Sequence, residues 1–396
     1  MKTLDIHILQ AYPPSNPNRD ANGDPKSVVF GGVRRGRISS QSLKRAMRTS
    51  MEEAANVGIL KFGVRTKIRD RIEEALAKIM SEDDAASLAN ATWNLLDGKN
   101  TKHAKKISKK RGEEPESAPD ESDEDTEKSD DNAMLFVDRK TIPAIVEWAQ
   151  LNQKALLAGD KSLKSKLVAI LKEYEAVDIA LFGRMIAKAQ DASVDGATFV
   201  AHAFSVNRLV SEVDFFTAVD DLFIREKSDD GEAQVGMIGQ IAYNASVYYR
   251  NLVLDIDQLA KNLGESGNPA SVESVAKEFL RAAIESYPTG MNKSHGKPSL
   301  PAFVFVIARN NHRTTNLCDA FLKPVSPAED HDVLEVAVRR LVDHYACTVK
   351  TYPSYVADKA YLVSNLNFDL QPLNAQRLNL DDLYNVVGGG NTSASP

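Results

Sequence analysis

The stretch Ser27-Val28-Val29-Phe30-Gly31-Gly32-Val33-Arg34-Arg35-Gly36-Arg37-Ile38-Ser39-Ser40-Gln41-Ser42-Leu43-Lys44-Arg45-Ala46-Met47-Arg48 decides how the first part of this chain folds. It holds six basic residues and no acidic one, in a chain whose net charge is −6. Residues 28–38 read as a strand interrupted at Gly31-Gly32. Ser39 or Ser40 then offers a hydroxyl to the first free amides of a helix. At helical spacing Gln41, Lys44, Arg45 and Arg48 fall on one side, and Leu43, Ala46, Met47 and Met51 on the other. One face can enter a core while the other, beside the positive end of the helix, holds a polyanion. Arg34, Arg35 and Arg37 on the preceding strand extend the same surface. Clustered cations repel one another, and a polyanion relieves that repulsion.

The net charge argues against nucleic acid only until it is located. Between Glu113 and Asp131 stand eleven acidic residues and one lysine, and taking that −10 from the total leaves the rest of the chain at +4. With almost no apolar content, the segment is expected to be a disordered, solvated loop. The 396 residues suffice for an elaborated domain or two to three lobes, and a hydrophobic fraction of 43% suits a soluble globular protein. No run of about 18 apolar residues suggests a membrane span. The first residues carry Asp5 and His7 where a signal peptide needs an uninterrupted apolar core. Cys318 and Cys347 are too few for a disulfide framework. The expected location is cytoplasmic, with no membrane partner.

Outward from the basic stretch, residues 3–10 alternate as a half-buried strand, and 13–25 form a long loop rich in Pro, Asn and Gly. From about 61 to 175 the pattern is helical, with helices expected over 66–80, 84–96, 142–157 and 163–174. Strands are expected at 177–185 and 197–204. An aromatic and charged region at 214–225 and a strand-like run at 235–254 flank an Asp-Gly turn at 228–232, which suggests a protruding hairpin. A helix over 271–285, a basic loop containing Lys293 and Lys297, a strand over 302–308 and a helix over 332–345 follow. The tail, 388–396, reads as mobile. Strands flanking helices without regular βαβ alternation predict an α+β class.

The motifs present and absent favour binding over catalysis. The seven histidines show no metal-ligand spacing, and no zincin, nucleophile-elbow or phosphate-loop motif is present. Nor is the usual RNP1 octapeptide of RRM domains. Asp20 and Asp24 in the first loop could hold a metal or assist cleavage of RNA, and a metal-dependent ribonuclease using Asp20 or Asp24 is the alternative reading. Phe215 and Phe216 could stack on bases or pack in a core.

Several of these segments resemble one family. Asn18-Arg19-Asp20 and the run from Phe30 to Arg48 are similar to the CasC-type crRNA-binding backbone subunit of the type I-E CRISPR Cascade complex. So are Val177-Asp178-Ile179-Ala180-Leu181-Phe182-Gly183-Arg184-Met185, Asp195-Gly196-Ala197, Phe215-Phe216-Thr217-Ala218-Val219-Asp220-Asp221-Leu222 and Val247-Tyr248-Tyr249-Arg250. The matches follow the family's order, and the C-terminal third is a looser match. The acidic insertion at about 113–131 is a departure from the family pattern.

The resemblance implies a hand-shaped α+β protein with a modified RRM-like (ferredoxin-like) palm, helical fingers and a β-hairpin thumb. The palm would comprise residues 1–60, 177–205 and 244–387. The fingers would be 61–176 with an acidic loop at about 112–132, the thumb 206–243, and 388–396 a tail. Such subunits polymerise head to tail along crRNA, hold its backbone and leave its bases to pair with target DNA, alongside other Cascade subunits, with no cofactor and no catalysis of their own. Carried over, Arg19 and Lys26 touch the guide from the first loop. Ser39, Gln41, Lys44, Arg45 and Arg48 grip it from the first helix. Met185 sits at a kink, Phe215, Phe216, Thr217 and Val219 form thumb contacts, and Lys293 and Lys297 add a late basic loop.

Overall fold

The basic stretch folds as a hairpin followed by a helix. In the computed structural model, β1 (Thr3–Ser15), β2 (Ser27–Phe30), β3 (Val33–Ile38), α1 (Ser40–Ala54), β4 (Gly63–Lys67), α2 (Ile68–Leu76) and α3 (Glu82–Asp97) lead to β5 (Met134–Asp138). Then come α4 (Thr141–Leu151), α5 (Gln153–Leu157), α6 (Lys164–Glu173), α7 (Val177–Phe182), β6 (Thr198–Val200), β7 (Ala203–Ser205), β8 (Glu212–Val219) and β9 (Val235–Asp255). The chain ends with α8 (Ile256–Asn262), α9 (Pro269–Glu285), β10 (Phe303–Arg309), α10 (Val333–Thr351), β11 (Lys359–Ser364), β12 (Gln376–Arg377) and α11 (Leu380–Val387). The structure describes residues 1–54, 61–97, 134–173, 176–186, 189–219, 235–264, 269–291, 296–328, 331–366 and 371–389. The acidic segment 113–131, the hairpin turn 228–232, Lys293 and residues 390–396 lie outside them.

Two compact units emerge, one made of Met1–Ser50, Val200–Leu254 and Ala276–Pro396, the other of Met51–Phe199 and Asp255–Val275. The first is built on a large sheet in the order β12-β11-β10-β1-β9-β7-β3-β2. β1 runs antiparallel to β10 in the register Thr3↔Arg309 to Leu9↔Phe303. Leu9, Tyr249, Phe303, Phe305 and Ile307 of the sheet meet Ala337, Val338, Leu341, Val342 and Tyr345 of α10 in one apolar core. Asp332 caps α10, accepting a bond from the amide of Glu335.

This core encloses a polar network. Asp5 and Arg309 form an ion pair with both side chains fully buried. Arg309 also donates to the Tyr355 carbonyl at 2.9 Å. His7 Nδ1 lies 2.9 Å from Tyr249 Oη, which accepts from the Leu317 amide at 3.1 Å. Burial, then the Arg309 charge, pushes the His7 pKa down to about 3. Burial pushes Asp5 up to about 6 against the pull of Arg309.

The second unit is largely helical. Ile68, Ile72 and Leu76 of α2, Leu88 and Trp93 of α3, Ile145 and Ala149 of α4 and Leu167 and Leu171 of α6 share its core. Within it β4 and β5 pair from Gly63↔Asp138 to Lys67↔Met134.

Several local expectations are corrected. Residues 28–38 are two strands, because Gly31 and Gly32 both take positive φ, 58° and 76°, as the central pair of a type I′ hairpin turn requires. Residues 177–182 form a helix and not a strand: Val177 to Leu181 are all buried, so the segment shows no periodicity to read, and Gly183 at φ 79° closes it. The expected helix over 142–157 breaks at Asn152, whose side chain bonds the Trp148 carbonyl at 2.8 Å. The β4–β5 pair interrupts the helical block because its strands are short and find each other only across the acidic segment.

Candidate nucleic-acid interface

Helix α1 is set by its neighbours before its own side chains act. Ser39 is its cap: the hydroxyl accepts from the Ser42 amide at 3.2 Å, and the carbonyl accepts from Leu43 at 3.1 Å. The amide of Ser39 donates to Asn18 Oδ1 at 2.9 Å, and that of Ser40 to His202 Nδ1 at 3.1 Å. The helix start that the sequence offered to an anion is thus largely occupied by side chains of the protein itself. Any grip on a polyanion falls to side chains, those of α1 and of the loop beside its start.

Those side chains divide as the periodicity predicts. Leu43 and Met47 are buried, while Gln41 and Arg45 are exposed and Lys44 and Arg48 half-buried. Partial burial, and then the Arg48 charge one turn on, lowers the Lys44 pKa. Among the described residues, neither Lys44 nor Arg45 forms an ion pair with a carboxylate. A partly desolvated lysine beside a second cation is an arrangement that an anion stabilises.

The first loop is built onto the same helix end. Asn18, which holds Ser39, also accepts the Lys26 amide on its carbonyl at 2.9 Å, and the Lys26 carbonyl accepts from Arg37 at 2.8 Å. Asn16 donates to the carbonyls of Gly23 and Ala242. Arg19 is exposed and Lys26 half-buried, so the loop carries two cations beside the start of α1. Asp20 Oδ1 accepts from the amides of Asn22 and Asp24 at 2.9 and 3.0 Å, an Asx-type turn that shapes the loop. Among the described residues no group of three or more His, Cys, Asp or Glu side chains could hold a metal ion.

The arginine run is not one surface. Arg34 is exposed and Arg37 half-buried. Arg35 is fully buried and donates to the carbonyls of Ser205, Val206, Phe321 and Leu322. The strand period of two puts Arg35 on the core side and Arg34 on the other.

The two arms of the expected hairpin pair, β8 and β9 running antiparallel from Glu212↔Tyr243 to Val219↔Val235 with an irregularity between Ala218 and Val219, while the turn between them lies outside the described residues. Phe215 is 70% exposed, and Thr217 on the same face is exposed too. Phe216 points the other way, half-buried, with its ring over Gly239: a Cβ there would lie 2.3 Å from the ring. Val219 contributes its backbone pairing.

In the second unit, Met185 is 81% exposed on a turn closed by the reciprocal backbone bonds of Arg184 and Val194, at 2.9 and 2.7 Å. Lys297 is exposed. The first unit therefore brings Arg19, Lys26, Ser39, Gln41, Lys44, Arg45 and Arg48 to one helix and its supporting loop. No motif in the sequence marks His202 or a supporting role for Asn18. Their contacts join residues 162 and 21 positions apart, and no spacing rule signals such a pairing.

The profile of the CT1975-like protein family matches residues 4–386, and the chain belongs to that family. A chain of a solved structure described as "CRISPR RNA-guided surveillance complex, pre-nicking" is 27% identical, with a TM-score of 0.73, over 97% of this chain and 100% of that chain. Another, from a "CRISPR RNA-guided surveillance complex", shares the fold at 24% identity and a TM-score of 0.64, over 96% of this chain and 99% of that chain. No curated protein matches. The resemblance to the Cascade backbone subunit, drawn from the sequence, is borne out. No described helix is long and apolar enough to cross a membrane.

Proposed function

We propose that this chain is a non-catalytic backbone subunit of a type I-E CRISPR surveillance complex. It polymerises head to tail along crRNA, grips the phosphate backbone and presents spacer bases for pairing with invading DNA. The observation that carries this reading is α1. One face is buried, the other bears Gln41, Lys44, Arg45 and Arg48, and a hydrogen-bonded loop adds Arg19 and Lys26 at its start. Phosphate contacts carry no sequence information, so one subunit holds any spacer. Bases left unread by protein remain free to pair.

In this reading the large sheet serves as an RRM-like palm, the helical unit as fingers and the β8–β9 hairpin as a thumb. Phe215 and Thr217 are presented on one hairpin face for contact, with Phe216 and Val219 in the same arm. Exposed Met185 meets bases, and Lys297, with Lys293, adds late positive charge. Copies joined by one heterologous contact form an open filament whose length the guide or capping subunits set.

Size-exclusion chromatography with light scattering, with single-stranded RNAs of increasing length, tests the proposal. Complex mass is expected to rise stepwise with RNA length and to collapse in high salt. A chain that ignores RNA both alone and when co-expressed with partner subunits and a guide would overturn it. Magnesium-dependent cleavage of the RNA, abolished by Asp20→Ala or Asp24→Ala, would overturn the non-catalytic assignment.

A further inference from the structure

We infer that Asn18 and His202 are positioning residues for RNA binding, two acceptors from distant parts of the chain that set the height and direction of the basic helix. This inference rests on the reading of α1 as the RNA grip and deepens it. Each side chain takes one amide at the start of α1: Asn18 Oδ1 that of Ser39 at 2.9 Å, His202 Nδ1 that of Ser40 at 3.1 Å. Ser39 Oγ takes the amide of Ser42. Three neighbouring donors are thus tied to three acceptors, only one of which lies in the local sequence.

The geometry separates this arrangement from an ordinary cap. A local cap such as Ser39 stabilises a helix wherever the helix sits. Asn18 belongs to the loop that carries Arg19, and its carbonyl also holds Lys26. His202 lies between β6 and β7, and β7 pairs with β3 through Ile38↔Ala203. The two contacts therefore tie the start of α1 to the cationic loop on one side and to the sheet on the other. Cations on separate elements engage one phosphate backbone together only when their spacing is held. The His202 contact further requires Nδ1 to be an acceptor, so the working tautomer carries its proton on Nε2.

The test uses the full chain and a single-stranded oligouridylate, with affinity measured as a function of salt. Asn18→Ala and His202→Ala are each expected to weaken binding about five-fold, the factor equivalent to the typical cost of a lost capping bond. They also flatten the dependence of log K on log salt, because fewer phosphates are engaged at once. His202→Asn places an amide oxygen where Nδ1 stood, and it restores both affinity and slope. A change that merely lowered stability would leave the salt slope of the folded fraction intact, so the slope separates positioning from stability, and the rescue by asparagine shows that the effect runs through the acceptor at Nδ1. Wild-type affinity and slope in His202→Ala, or a His202→Asn variant as weak as His202→Ala, would overturn the inference. Charge reversal at Lys44 and Arg48 is the parallel control: if it weakens binding while the positioning variants do not, only the inference falls. If it too has no effect, the RNA reading itself falls.

Discussion

Replacing Lys44 by methionine should weaken RNA binding and stabilise the protein in the same variant. Lys44 is half-buried on α1, and its pKa is lowered first by burial and second by Arg48. Methionine keeps the aliphatic stem that covers the helix surface, while removing a partly desolvated charge and a like-charge pair at i,i+4. Such a pair costs about 0.2–0.5 kcal/mol on a helix, and because Lys44 is partly exposed, solvent screening leaves little of the desolvation cost to add, so the unfolding free energy is expected to rise by about 0.2–0.5 kcal/mol. On the binding side, one lost contact to single-stranded RNA removes about 0.7 from the salt slope, worth roughly 2.6-fold in affinity between about 50 and 200 mM salt. Urea denaturation gives the first quantity, and fluorescence anisotropy with labelled RNA across a salt series gives the second. The signature is opposition, with the denaturation midpoint up and the affinity and slope down. A variant that loses stability and keeps its salt slope would refute the view that Lys44 is held in readiness for an anion.

Three further outcomes are expected. Gly31→Ala would put a Cβ 1.8 Å from the Leu322 carbonyl oxygen, whereas Gly32→Ala meets nothing within 4 Å; urea midpoints should show a loss of about 2–4 kcal/mol for the first and about 1 for the second, and equal losses would contradict the packing. Because His7 is held neutral with its pKa near 3, protons taken up by the unfolded chain below its usual value near 6.5 draw the equilibrium toward unfolding as pH falls. Asp5, raised to about 6, works in the opposite direction, so the effect is isolated by comparison with His7→Asn: wild type should lose on the order of 2–3 kcal/mol relative to that variant between about pH 6.5 and 4.5, and parallel pH curves would dispose of it. Finally, Phe215→Ala should leave stability within about 0.5 kcal/mol while weakening RNA-dependent assembly. Phe216→Ala should speed amide exchange around Gly239, and identical behaviour of the two variants would count against their opposite orientations.

What could be read in advance follows from what each signal measures. The period of α1 was legible because Leu43 and Met47 alternate with Lys44 and Arg48 at helical spacing, and burial follows that split. The segment from Val177 to Leu181 gave no such contrast, since complete burial erases the pattern that separates a helix from a strand. Gly31-Gly32 was noticed as an irregularity, yet its sense, a reversal of direction, depends on two positive φ angles that the residue names permit without requiring. Of the phenylalanine pair, side-chain alternation guarantees that one faces away from the other. Which of them is exposed depends on Gly239, more than twenty residues later in the chain, leaving room for a ring. Asn18 and His202 were least legible, because their partners are backbone amides, which every residue possesses.

Arg35 gives the basic run two kinds of position. Its guanidinium spreads one permanent charge over four carbonyls contributed by two separate segments, a role a lysine's single ammonium cannot reproduce. An alanine scan through Arg34, Arg35 and Arg37 would therefore report two unrelated properties under one heading. At Arg35 the lost signal would come from protein that no longer folds, and a binding assay alone would rank it as the strongest contact of the three. Normalising each variant to its folded fraction reverses that ranking, and the most damaging arginine in the run becomes the one a nucleic acid never touches.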